Sequence, residues 1–296
     1  MIAVSLALGG LISCETVAAI TSVGAQTAGA FGVIDENTAA AISQSSDAIA
    51  RAAEEITPEQ EYYIGRSVGA NLLNNYSVYT KNAPLTAYLN KICAAITANS
   101  PKPEIFNGYH VLILDSSEIN AFATSGGHIF ITRGLIECTD SEDALAAVIA
   151  HEIAHIQLQH SIRAIKTSRI SQAVMITGIS SANVAGQYLD LKELTNVFDE
   201  SVGNIVTTLV NNGYSQSQEF DADNTALSLL AAAGYTPASL ITMLQSLEKN
   251  QPSHPGGFNK THPAPAQRIN NVRQTVNNFP VPDTRSYRVL RYRSVL

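Results

Sequence analysis

The chain has 296 residues, of which 45% are hydrophobic, with a formal net charge of -7 and a pI near 5.5. This length and composition suit a soluble globular protein with one large domain or two small ones. The acidic balance argues against nucleic acid as a partner, because phosphate binding needs a basic surface.

The N-terminal residues 1–14 are uncharged and mostly apolar, and they are shorter than the roughly 20 residues that span a bilayer. They resemble the apolar region of an export signal, although the first basic residue is Arg51. Leu11-Ile12-Ser13-Cys14 resembles a lipobox, which predicts a lipid on Cys14 and a protein tethered at the periplasmic face of a bacterial membrane, the outer membrane being favoured. The alternative is an apolar N-terminus that belongs to the fold.

Residues 15–56 are rich in Ala, Ser and Thr and predict a spacer, partly helical near its end, ahead of a domain covering residues 57–296. Thr57, Pro58 and Gln60 form a capping box that predicts a helix to about Tyr76. Apolar residues at helical spacing predict a second helix from about Pro84 to Ala98.

Two short runs rich in β-branched and aromatic residues predict neighbouring strands. They are residues 109–114 and 128–132, and a loop containing Gly126-Gly127 lies between them.

The next segment carries the motif His151-Glu152-Ile153-Ala154-His155 on a predicted helix, with apolar residues recurring at spacings of three and four. Thr139-Asp140-Ser141-Glu142 is predicted to form a capping box at its start. Two histidines four apart share a helix face and can reach one metal ion, while Glu152 lies beside a water held there. A chance match on a charged helix face is the alternative.

A third ligand is expected from the helix that Ser215 caps and Gly234 ends. Glu219 and Asp223 are four residues apart and share a face, so Glu219 can coordinate the metal while Asp223 accepts the second N–H of a ligand histidine. Alternatively, both are solvated carboxylates near a helix N-terminus, where the helix dipole favours them.

These motifs together resemble family forty-eight of the metallopeptidases, a gluzincin family that includes the CAAX prenyl endopeptidases. Besides the two helical motifs, the resemblance rests on three segments: Asn120-Ala121-Phe122-Ala123 with Gly126-Gly127-His128-Ile129, Thr261-His262-Pro263, and Arg268-Ile269. It covers about residues 57–278. Ser125 departs from the proline that many relatives carry before the glycine pair.

The resemblance implies an α+β, mostly helical, zincin-like fold with a small β-sheet beside the zinc-binding helix. It implies one zinc ion per chain, with His151, His155 and Glu219 as ligands, Glu152 as the general base and Asp223 orienting a ligand histidine. His262 would either hydrogen-bond the oxyanion or cap the metal at rest; the alternative is a loop histidine without a role in the site.

The implied activity is that of a membrane-tethered zinc metalloendopeptidase that cuts extended or misfolded envelope polypeptides. In gluzincins an edge strand beside the zinc pairs with the peptide, so residues His128, Ile129 and Phe130 are expected to form this edge strand and bind substrate. The alternative is that the two predicted strands only complete a hydrophobic core. The competing function is a zinc-stabilised binding or chaperone-like lipoprotein, for which the base Glu152 would have no physical use.

Four further features carry smaller predictions. His160, 140° round a continuous helix from His155, is expected to be structural, and Arg268 to form a buried ion pair that fixes the last helix. Cys93 and Cys138 are either a disulfide or two free thiols. The arginine-rich residues 285–293 either touch lipid headgroups or form a final strand.

Overall fold

The computed structural model describes residues 54–167, 213–250, 261, 262, 264–280 and 285–295, together with residues 26 and 43. Its chain divides into two compact units, of which the larger contains residues 56–164 and 202–296. The smaller unit, residues 1–55 and 165–201, lies almost wholly outside the described residues. The predicted signal with Cys14, and nearly all of the predicted spacer, lie outside the described residues.

The described part of the larger unit is mainly helical with one small sheet, which confirms the predicted α+β class. In chain order its elements are α1 (Pro58–Leu72), α2 (Ala83–Ala98), β1 (His110–Leu114), β2 (Ala121–Thr124), a 3-10 turn (Ser125–Gly127), β3 (His128–Thr132), α3 (Arg133–Glu137), α4 (Glu142–Gln157), α5 (Gln216–Ala232), α6 (Ser239–Asn250), α7 (Pro265–Thr275), a second 3-10 turn (Val276–Asn278) and α8 (Arg285–Arg293).

Side-chain caps begin the helices that carry the site. The capping box predicted at Thr57 is present, since its hydroxyl accepts from the Gln60 amide at 3.2 Å and its own amide donates to the Gln60 side chain at 2.9 Å. The box predicted at residues 139–142 is wrong. Ser141 caps α4 instead, accepting from the Ala144 amide, because the Thr139 hydroxyl donates to the carbonyl of Ile136.

The sheet has the strand order β1-β3-β2, with β1 parallel and β2 antiparallel to β3. The predicted pairing of β1 with β3 is therefore confirmed. The predicted edge position of His128, Ile129 and Phe130 is wrong, because both backbone edges of β3 are used inside the sheet. The sequence did not reveal β2, a four-residue strand, which with β1 is one of the two edge strands of the sheet among the described residues.

Helix α4 lies at the centre of the unit, and all of its residues are buried. It packs against β2 on one side and against α2, α5 and α6 on others. Helix α1 covers the turn between β2 and β3 very closely: a Cβ on Gly65 would lie 1.7 Å from the carbonyl oxygen of Ser125. Glycine at this position lets α1 hold the turn beside α4.

The C-terminal segment differs from its prediction. Residues 285–293 form helix α8 and not a strand. Arg288 and Arg291, three apart and therefore close on a helix surface, both reach the first turn of α4: Arg288 Nε lies 2.7 Å from Asp143, and Arg291 pairs with Glu142. These two ion pairs join α8 to α4, and they depend on the helical spacing of the two arginines.

Cys93 and Cys138 are free thiols, so the disulfide alternative does not hold. Within the described residues, no helix has the length and apolar character needed to cross a membrane.

Candidate metal centre

Four side chains from three parts of the chain meet at one buried point. Helix α4 supplies His151 and His155, α5 supplies Glu219, and the segment before α7 supplies His262; one donor atom from each lies within 4.8 Å of all the others. The two Nε2 atoms of the α4 histidines are 3.0 Å apart. The carboxylate oxygens of Glu219 lie 3.5 Å from His151 Nε2 and 3.4 Å from His155 Nε2.

The charge of this cluster fits a divalent cation. Three buried carboxylates, those of Glu152, Glu219 and Asp223, face one buried guanidinium, that of Arg268. When all are ionised, two negative charges remain uncompensated by these four side chains. Buried charges are paired or coordinate metals, because leaving them desolvated and alone is very costly. Imidazole and carboxylate donors are also ligands that zinc accepts.

His151 is supported from behind by a carboxylate. Its Nδ1 lies 3.0 Å from Asp223 Oδ1, and Arg268 donates to Asp223 through Nε at 2.8 Å and Nη2 at 2.6 Å. Burial alone would raise the pKa of Asp223, but Arg268 outweighs it and lowers that pKa to about 2. The ion pair predicted for Arg268 is present, and it reaches further than expected, because Nη1 also lies 3.3 Å from Glu219.

His155 has different support, which the sequence did not predict. His160 Nδ1 lies 2.9 Å from His155 Nδ1, and the ring of Tyr214 stacks on His155 at 4.2 Å. The predicted angle of 140° assumed a continuous helix, whereas α4 ends at Gln157 and Gln159 has a φ of 55°. Burial lowers the pKa of His160 to about 4, so its ring is neutral.

Glu152 lies beside the ligand cluster without joining it. Both of its carboxylate oxygens are buried, and neither has a hydrogen-bond partner among the described residues. Burial raises the pKa of Glu152. Of the four cluster residues, His262 contacts both carboxylates: its Nδ1 is 2.8 Å from Glu219, and its Nε2 is 4.0 Å from Glu152.

Comparison with known proteins also relates this chain to metalloproteases. The family model for peptidase family M48 matches residues 80–276. Metalloprotease LoiP of Escherichia coli K12 is 30% identical over 163 residues, which cover 55% of this chain and 60% of LoiP. The beta-barrel assembly-enhancing protease of the same organism is 26% identical over 226 residues, covering 74% of this chain and 43% of that protein.

The similarity extends to a eukaryotic protein, the mitochondrial metalloendopeptidase OMA1 of Schizosaccharomyces pombe. It is 28% identical over 193 residues, which cover 64% of this chain and 53% of OMA1. The chain thus spans about half the length of these relatives. Because the family model covers well over half of the sequence, and because its motif residues meet in one buried cluster, this chain belongs to peptidase family M48, a metallopeptidase family.

Proposed function

We propose that this protein is a zinc-dependent endopeptidase that hydrolyses peptide bonds in extended polypeptides. The observation that carries the proposal is the buried carboxylate of Glu152, which has no hydrogen-bond partner among the described residues and lies beside a cluster of imidazoles and a carboxylate. A site that served only to stabilise the fold would have no use for a desolvated base at this position. Membership of a peptidase family supports the same activity.

His151, His155 and Glu219 would hold the zinc ion, and their donor atoms already face one another. Three protein ligands leave room for a water, which is the arrangement of catalytic zinc sites. When bound, the ion would lower the pKa of that water and polarise the scissile carbonyl.

Glu152 accepts a proton from the attacking water and then returns it to the leaving amine, so that the carboxyl group acts first as base and then as acid. Burial raises the pKa of the Glu152 carboxyl group. It therefore favours the stage between attack and amine departure, when Glu152 holds the proton. The chemistry needs no serine or cysteine nucleophile.

His262 has two roles compatible with its position. Its Nδ1 contacts Glu219 and its Nε2 faces Glu152, so it lies beside both a proposed ligand and the proposed base. There it can donate to the developing oxyanion of the substrate, or it can act as a fourth ligand that closes the site at rest. The closed state would correspond to the alternative function, a zinc-stabilised binding protein with little turnover.

Strand β2 is the element proposed to receive the peptide, in place of β3. It is an edge strand among the described strands and packs beside α4. Extended peptides pair with such edges through main-chain hydrogen bonds.

One relative is named for enhancing beta-barrel assembly, which supports envelope proteins as substrates. The Leu11–Cys14 motif supports a lipid tether, which membrane release of a Cys14→Ala variant would test.

Metal removal tests the proposed function directly. We expect the purified protein to contain one zinc ion per chain, to lose cleavage of unfolded casein after dialysis against a chelator, and to regain it with one equivalent of zinc. Metal content by elemental analysis and cleavage rate are measured on the same samples. Full cleavage by the metal-free protein would refute the proposal, whereas bound zinc with no cleavage would favour the binding protein.

A further inference from the structure

The two nitrogens of the His155 ring have different neighbours. Nε2 faces the metal cluster, 3.0 Å from the Nε2 of His151 and 3.4 Å from Glu219. Nδ1 faces away from the cluster and lies 2.9 Å from Nδ1 of His160. Because this second contact points away from the cluster, a metal ion cannot lie between its two atoms, and its length is that of a hydrogen bond in which exactly one of the two Nδ1 atoms carries the shared proton.

The metal decides which nitrogen carries it. A ligand nitrogen gives its lone pair to the metal, so Nε2 of a neutral, metal-bound His155 has no proton and Nδ1 must have one. His155 is then the donor, and Nδ1 of His160 must be the acceptor. We propose that His160 is a positioning residue that fixes the tautomer and the ring orientation of His155 as a metal ligand. This inference rests on the proposed metal centre.

The local structure holds His160 in this position. The chain leaves α4 after Gln157, turns at Gln159 with a φ of 55°, and becomes helical again at residue 160. His160 is 1% exposed. Tyr214 stacks on the face of the His155 ring while His160 binds its edge, so together they restrict both rotation and tilt of that ring.

Charge explains why an imidazole, and not a carboxylate, supports His155. Asp223 already supports His151, and with Glu152, Glu219 and Arg268 it leaves two negative charges, which one divalent cation neutralises. A second carboxylate behind His155 would add a buried charge that the cation could not balance. A neutral imidazole accepts the hydrogen bond from His155 without adding charge.

Zinc affinity of two variants tests the role of His160. His160→Leu removes the acceptor, and we expect a loss of about 10- to 100-fold in zinc affinity, the effect of removing an outer hydrogen-bond partner. His160→Asn places a side-chain oxygen near the position of Nδ1, so it should remain closer to wild type than to the leucine variant. His110→Leu, at an exposed histidine on β1, is the matched control. Affinity is measured by competition with a chromophoric chelator.

Nitrogen NMR of the histidine rings in zinc-loaded wild type gives a second readout that needs no variant. We expect a proton on Nδ1 of His155 and none on Nδ1 of His160. The opposite assignment, or equal zinc affinity in His160→Leu and wild type, or equal losses in the leucine and asparagine variants, would overturn the positioning role. Absence of zinc binding by wild type would instead refute the metal centre itself.

Discussion

Replacing Glu152 with glutamine should lower the rate of peptide cleavage by about 10²- to 10⁴-fold, the range attributed to a positioned general base. The amide has nearly the same shape as the carboxylate but cannot accept the proton of water. Because Glu152 makes no hydrogen bond to the described ligand residues, the metal should remain bound. The effect is measured as kcat/KM on an unfolded-protein substrate, with zinc content determined on the same preparation.

Glu104→Gln is the matched control, since this glutamate is exposed on the loop before β1, and its variant should cleave like wild type. Removing a negative charge next to the cluster should leave folding intact, so a normal circular-dichroism spectrum is expected for Glu152→Gln. Cleavage within a few-fold of wild type by a zinc-loaded Glu152→Gln protein would rule out this residue as the base.

The second large effect is expected from Arg268→Met. Arg268 is 1% exposed and pairs with both Asp223 and Glu219, so its loss leaves two carboxylates buried without their cation. Breaking a buried ion pair in this way costs about 3–5 kcal/mol in the free energy of unfolding. At ~2–4 °C per kcal/mol, thermal denaturation should shift down by roughly 6–20 °C. Bound zinc supplies positive charge at the same place, so the shift should be larger in metal-free than in zinc-loaded protein.

Arg273→Met on the same helix is the control, because Arg273 is exposed and its loss should change the denaturation temperature little. Equal shifts for the two variants would contradict a special role for Arg268. Equal shifts with and without zinc would contradict the charge balance proposed for the metal centre.

The same ion pair predicts a pH dependence of stability. The pKa of Asp223 is about 2 in the folded protein, below the ordinary value of 3.8, so its carboxylate stabilises the fold fully above about pH 4. That contribution is lost as the pH falls towards 2. The difference in unfolding free energy between wild type and Asp223→Asn should therefore change little from about pH 4 to 6 and shrink below pH 4. It should also shrink above about pH 6.5, because Asp223 helps to raise the pKa of His151 to about 9 and the stability gained from that protonated ring is lost as the pH rises. It is measured by denaturant titration of metal-free protein.

Relations within one helix were predictable from the sequence. The spacing of His151 and His155, and of Glu219 and Asp223, fixes which side chains share a face, and the structure brings both faces together. The capping box at Thr57 and the helix cap at Ser215 were equally local signals, and both are present. Such features depend on the 3.6-residue period and on side chains close in the chain.

Relations that depend on where the chain turns were not predictable. Strand β2 is four residues long, and its place beside β3 is visible only in the folded sheet. The contact of His160 with His155 follows from the end of α4 at Gln157, which the apolar pattern did not mark. Helix α8 forms where its arginines meet acids of α4, residues distant in sequence.

Anomalous X-ray diffraction at the zinc absorption edge, on crystals of protein purified without added metal, tests the central claim most directly. We expect one strong anomalous peak per chain, bounded by the Nε2 atoms of His151 and His155 and the carboxylate of Glu219. A peak located elsewhere would contradict the proposed metal centre. So would electron density that shows these three side chains hydrogen-bonded to one another with no metal between them.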